Sequence, residues 1–122
     1  MAALSIAFDA PDNGSGSGQF SERPIDFEHI ARQTLGDKAL ELEVLQLFAR
    51  QARASMKELS GSSGAARAAA AHRLKGSAQA VGAGRVSQAA QALEDQPDDA
   101  GTLSATAAAV IEAENFILKL CR

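Results

Sequence analysis

The sequence predicts an all-α fold, an up-down antiparallel four-helix bundle with an additional short N-terminal helix. Three observations support this class. Ala and Leu dominate a chain with an aromatic content of only 4%, which favours helix over strand. Between Pro24 and Pro97 there is no proline. Apolar residues recur every three or four positions in segments separated by short breaks, the pattern of amphipathic helices. The 122 residues suffice for one small domain.

The first 23 residues differ in composition from the rest. Gly, Ser, Asp and Pro are frequent between residues 9 and 23, so this stretch buries too little apolar surface to offset the entropy of ordering. We expect a flexible tail at 1–23 and one helical domain at 24–122. The mildly apolar start has no Lys or Arg before Arg23, unlike a signal peptide. A cytoplasmic location is therefore expected.

The first two helices begin at aspartates. Asp26 is placed to cap a short helix carrying Phe27 and Ile30, and Gly36 is placed to end it. Asp37 is placed to cap a longer second helix, which ends near residue 60 in a Gly- and Ser-rich break. The apolar residues that recur at helical spacing in this second segment are Val44, Leu45, Leu47, Phe48, Ala52, Met56 and Leu59.

Three further helices follow. The third covers about residues 65 to 81 and ends at Gly82; its narrow apolar stripe consists of Ala71, Leu74, Ala78 and Val81. A shorter fourth helix repeats this spacing with Val86, Ala89, Ala90 and Leu93. After a break at 95–99, the fifth helix carries Leu103, Ala107, Val110, Ala113, Ile117 and Leu120. Short loops between long helices favour antiparallel neighbours.

Charge and motifs exclude several classes of function. A formal net charge of -3 disfavours nucleic acid or an acidic membrane as partner, and no apolar run approaches the roughly 18 residues of a membrane span. One cysteine and two histidines supply neither a disulfide framework nor a transition-metal site. Serine-hydrolase, nucleotide-binding and zinc-protease motifs are absent from the sequence. We expect protein partners, and neither a cofactor nor a metal of the chain's own.

One face of the predicted third helix carries a histidine and a lysine that could take part in a reaction. At about 100° per residue, His72, Lys75, Gly76 and Gln79 fall opposite the apolar stripe of the third helix. The imidazole should therefore stand on the outer surface, where its neutral form can attack a phosphoryl group. Lys75, three residues on, can approach an anion carried by the ring. A glycine in a helix interior costs about 1 kcal/mol relative to alanine, so Gly76 suggests clearance for a partner.

The same residues carry a family resemblance. The run Ala71-His-x-Leu-Lys-Gly-Ser-Ala-x-x-x-Gly82, followed by Val86 and Leu93-Glu94, resembles the phosphorylation-site signature of histidine-containing phosphotransfer (HPt) domains of two-component phosphorelays. The resemblance covers about residues 24 to 122.

That resemblance implies a role for each site residue. His72 is the phosphoryl acceptor and donor, Lys75 supports the phosphoryl charge, and Gly76 lets a receiver domain come close. Glu94 matches a glutamate of the related chemotaxis-kinase domains that hydrogen-bonds the other ring nitrogen, which would orient the imidazole and leave Nε2 as the nucleophile.

It also implies a relay without kinase or ATP-binding activity of its own, a histidine phosphotransferase intermediate. The receiver domain of a hybrid histidine kinase donates to His72, and that of a response regulator accepts; Mg²⁺ is expected in the receiver. Ile30, Arg73 and Gln79 are the candidate docking residues, and a monomer is expected. Two alternatives stay open: a non-catalytic helical adaptor that binds receivers without turnover, and a structural bundle that oligomerises through the fifth helix and Cys121.

Overall fold

The structure of the protein is a computed structural model, which describes residues 23–121. This part of the chain contains five α-helices and no strand, so the all-α prediction is confirmed for it. The helices are α1 (Phe27–Thr34), α2 (Lys38–Ser60), α3 (Gly64–Ala80), α4 (Gly84–Asp95) and α5 (Ala100–Leu120). The flexible tail predicted at 1–23 lies, except for Arg23, outside the described residues.

The four longer helices contact one another in a closed ring. α3 packs on α2 and α4, α5 packs on the same two helices, and α1 contacts α2. Contact pairs give the relative directions. Arg53 bonds to Glu114, whereas Gln46, two turns earlier on α2, bonds to Cys121 just after α5. The earlier residue of α2 thus pairs with the later position at the end of α5, and the later residue of α2 pairs with the earlier one. These two helices therefore run antiparallel.

The core lies inside this ring. The apolar stripe predicted on α3 is buried, and its most exposed member, Val81, is only 7% exposed. Leu47 on α2, which belongs to the apolar pattern of the sequence, is instead 48% exposed. It precedes the buried Phe48 by one position, about 100° around the helix, and so lies beside the buried face. Because the apolar stripe of α3 faces the core, the opposite face of this helix points to the outer surface of the domain.

Aspartates begin three of the helices, including the two for which they were predicted. The side chains of Asp26, Asp37 and Asp99 accept backbone N–H groups in the first turns of α1, α2 and α5. The N-cap residue of α3 makes no such bond. Instead, the backbone N–H of Gly64 donates to the carboxylate of Asp98 at 2.9 Å. The loop between α4 and α5 therefore caps α3.

The same end of the bundle is tied together by Arg67 of α3. Its Nε donates to the carbonyl of Leu59 at the end of α2, and its Nη1 donates to the carbonyl of Pro97, both at 2.9 Å. One guanidinium thus satisfies backbone acceptors of two other segments that would otherwise need water. This contact fixes the end of α2 and the α4–α5 loop on α3.

At the other end, α1 is attached to the turn between α3 and α4. Gly82 in this turn has a φ of +74°, and its carbonyl accepts the backbone N–H of Asp26 at 2.9 Å. His29 of α1 has its Nε2 3.2 Å from the carbonyl oxygen of Ala80 near the end of α3.

Ile30 corrects one prediction. Its side chain is 0% exposed and belongs to the core, because α1 packs this side chain inward. A fully buried side chain cannot contact a partner, so the prediction that Ile30 contributes to a docking surface was wrong.

Candidate functional site

His72 stands outward in the middle of α3. Its side chain is 63% exposed, whereas the adjacent Ala71 and the nearby Leu74 are buried. The ring leans towards α4, where its Nδ1 lies 3.0 Å from one carboxylate oxygen of Glu94 and 3.2 Å from the other. The imidazole is therefore both accessible and oriented by a neighbouring helix.

The Glu94 contact determines which ring nitrogen carries the proton. An ionised carboxylate only accepts hydrogen bonds, so Nδ1 of His72 must carry the proton and donate it. In the neutral ring, Nε2 then has the free lone pair. Nδ1 faces Glu94 and Nε2 lies on the opposite side of the ring. This is the arrangement of a nucleophilic nitrogen with a fixed tautomer.

Glu94 also bonds to a cation. Its side chain on α4 is 27% exposed, and one of its oxygens lies 3.2 Å from Nζ of Lys75. The hydrogen bond with His72, and then that with Lys75, hold the pKa of Glu94 below its usual value of 4.5, although partial burial acts in the opposite direction. The carboxylate therefore stays ionised at neutral pH, as the His72 contact requires.

The side chain of Lys75 lies against α4. Its side chain is 18% exposed, and its Nζ also donates to the amide oxygen of Gln91 at 2.7 Å. The ammonium thus sits one helical turn along α3 from His72 and shares a carboxylate with its ring. The structure brings together an imidazole, a carboxylate and an ammonium in the groove between α3 and α4.

Gly76 leaves open space beside this cluster. It follows His72 by one turn on the exposed side of α3, and a Cβ built on it would meet no atom within 4 Å. Packing within the described part of the chain therefore does not require a glycine here. The role of Gly76 in clearance for a partner stays a prediction.

The other two proposed docking residues are exposed on α3. Arg73 is paired with Glu58 of α2. Gln79 lines a cavity of about 350 Å³ between the start of α1 and the α3–α4 turn. Both are accessible to a partner, and their role in docking stays a prediction.

Two residues of the site escaped the sequence reasoning. Gln91 contacts Lys75, and Asp95 in turn accepts the amide N–H of Gln91 at 3.0 Å. Both lie within one turn of Glu94 on α4, so helical spacing alone places all three on one face. Spacing, however, does not show which residue of α3 that face meets.

Within residues 23–121, no group of His, Cys, Asp and Glu side chains has an arrangement that could hold a metal ion. None of the helices in that range combines the length and apolar character needed to cross a membrane.

The fold and the site define a helical domain that presents an exposed, oriented histidine on its surface. The Hpt domain family model matches residues 43–117, a range that includes His72, Lys75, Gly76 and Glu94. Because the match covers more than half of the chain, the protein belongs to the Hpt domain family. Hpt domains act in phosphotransfer with the receiver domains of two-component phosphorelays. No curated protein and no solved structure matches the chain.

Proposed function

We propose that the protein relays a phosphoryl group between receiver-domain aspartates through Nε2 of His72. The single observation that carries this proposal is the bond between His72 and Glu94, at 3.0 Å, on a ring that is 63% exposed. It combines a fixed tautomer with access for a partner. The contact ring and the antiparallel α2–α5 pair described above support an up-down four-helix bundle as the rigid scaffold of this histidine.

The proposed reaction needs no base. The Nε2 lone pair attacks the phosphorus of a receiver's aspartyl phosphate, an N–P bond forms, and the acyl P–O bond breaks to release the aspartate carboxylate. The proton on Nδ1 stays in place throughout, so the phosphorylated ring carries a positive charge that Glu94 stabilises. In the second half, the carboxylate of another receiver attacks the phosphorus and the neutral imidazole leaves.

The neighbouring residues have separate roles in this proposal. Lys75 supplies positive charge near the transferred phosphoryl group, where negative charge is concentrated. Gly76 allows the receiver's active site to approach the ring. Mg²⁺ belongs to the acidic pocket of the receiver, which uses oxygen ligands suited to that ion. The donor in this scheme is the receiver of a hybrid histidine kinase, and the acceptor is that of a response regulator.

Labelling tests the proposal. The protein is incubated with a ³²P-labelled receiver, and we expect acid-labile, alkali-stable label, as for a phosphohistidine. His72→Gln should abolish the label while the helical circular-dichroism signal and melting temperature stay close to wild type, since the ring is exposed. His29→Gln is the matched control, because His29 is the other histidine, and it should keep the label. Label on the His72→Gln protein would exclude His72 as the carrier.

The adaptor hypothesis predicts a different result in the same experiment. A non-catalytic adaptor would bind receivers, measurable by titration calorimetry, but would never become labelled with any of them. Because the source organism's receivers are the relevant set, each should be tested in turn. Labelling by even one receiver favours the relay.

A further inference from the structure

The ammonium of Lys75 has a second hydrogen-bonding partner that the phosphorelay chemistry does not use directly. Nζ lies 2.7 Å from the amide oxygen of Gln91 and 3.2 Å from the carboxylate of Glu94. The amide nitrogen of Gln91 donates to the carboxylate of Asp95 at 3.0 Å. Since a carboxylate only accepts and an ammonium only donates, these two partners fix the orientation of the amide.

This arrangement holds a flexible side chain in one place. Gln91, Glu94 and Asp95 lie at positions i, i+3 and i+4 of α4, on one face. Lys75 is the third residue after His72 on α3, and its side chain is only 18% exposed. Lysine has a long stem with many rotamers, and two acceptors on one rigid helix restrict it far more than one acceptor would.

We propose that Gln91, held by Asp95, is a positioning residue that keeps the Lys75 ammonium beside the phosphoryl-accepting imidazole of His72. The proposal rests on the phosphotransfer function proposed above. With Gln91 in place, Lys75 does not depend on Glu94 alone, so Glu94 remains available to the Nδ1 proton of His72. Without Gln91, the ammonium either bonds only to Glu94 or turns into solvent.

The chemical type of the holding residue also matters. The amide of Gln91 is neutral, so it orients the ammonium without cancelling its charge. A carboxylate at the same position would place a second anion on Lys75 and repel the incoming phosphoryl group. Gln91 therefore serves a site that must receive an anion.

The test compares Gln91→Met, which keeps the length of the side chain but removes the acceptor, with Gln88→Met. Gln88 is an exposed glutamine one turn earlier on α4 and serves as the matched control. His72 is labelled with phosphoramidate, a small donor, so that receiver docking does not affect the rate. Nitrogen-15 NMR follows the ammonium signal of Lys75, which exchanges slowly with water when it is held.

We expect Gln91→Met to slow the labelling about fivefold, the factor for one hydrogen bond of ordinary strength, and to remove the slowly exchanging Lys75 signal. Gln88→Met should match wild type in both. In a Lys75→Met background, Gln91→Met should have no further effect, because it acts through Lys75.

The inference is overturned if wild type is labelled and Gln91→Met is labelled equally fast, or if Gln91→Met slows the reaction as much without Lys75 as with it. A wild-type protein that neither phosphoramidate nor any receiver labels on His72 refutes the proposed function itself.

Discussion

Gly76 offers a test that separates stability from partner access. In most helices a glycine is a weak point, and replacing it with alanine strengthens the helix by reducing the freedom of the unfolded chain. The gain is lost when the new methyl group collides with a neighbour. At Gly76 a Cβ meets no atom within 4 Å, so no collision offsets the gain.

The magnitude follows from this open space. Replacing an interior helix glycine with alanine contributes about 1 kcal/mol, which corresponds to a rise in melting temperature of about 4–8 °C for a domain of roughly 100 residues. The same methyl group occupies the surface that a receiver must approach to reach His72. We therefore expect Gly76→Ala to be more stable than wild type yet slower in phosphotransfer from a receiver, and the larger Gly76→Gln to be slower still.

Two measurements check this prediction, thermal unfolding and the rate of label transfer from a phosphorylated receiver. Labelling by phosphoramidate should be nearly unchanged, because a small donor needs no clearance. Gly84→Ala is the control variant: its added Cβ also meets no atom within 4 Å, but it lies in the first turn of α4, away from His72. If Gly76→Ala melts lower than wild type, or accepts phosphoryl groups from receivers at the wild-type rate, the clearance argument is refuted.

The remaining predictions concern acid stability and the ends of the bundle. Because the folded-state pKa of Glu94 is lowered from 4.5, its stabilising contribution is present above that pH and is lost as the pH falls through the folded-state value. Glu94→Gln should thus be less stable than wild type in denaturant at neutral pH, and a difference that persists in strong acid would contradict this. Gly82→Ala should lower stability by about 1–3 kcal/mol, since φ is +74° and the new Cβ would lie 3.1 Å from the carbonyl oxygen of Asp26; an unchanged melting temperature would refute it. Arg67→Met should cost about 1.5–3 kcal/mol through its two backbone hydrogen bonds. Arg73→Met, which removes an ion pair that is exposed on both sides, should cost under about 1 kcal/mol, and equal losses for the two variants would count against the role of Arg67.

The elements of the fold were predictable because their signals are local. A cap such as Asp37 bonds to a backbone group three residues away, and the apolar repeat of a helix lies within its own turns. The direction of His72 was predictable for the same reason. Once the stripe containing Leu74 faces the core, helix geometry turns residue 72 outward.

One wrong prediction and one missed contact arose where segments that are distant in the sequence meet. The apolar face of α1 was visible in the sequence. The sequence did not show whether the bundle or a partner covers that face, and the structure shows that the bundle covers Ile30. The capping of α3 by Asp98 joins residues 34 positions apart, and no local pattern encodes it.

The sequence by itself determined the helices, the aspartate caps of α1 and α2, and the outward histidine, because each depends on residues within a few turns of one another. Only the tertiary structure decided that Glu94 and Gln91 of α4 share the ammonium of Lys75. That contact depends on how far α3 and α4 slide along each other before their side chains interlock. The register of two packed helices results from the packing of the whole core, and a repeat within one helix carries no information about it.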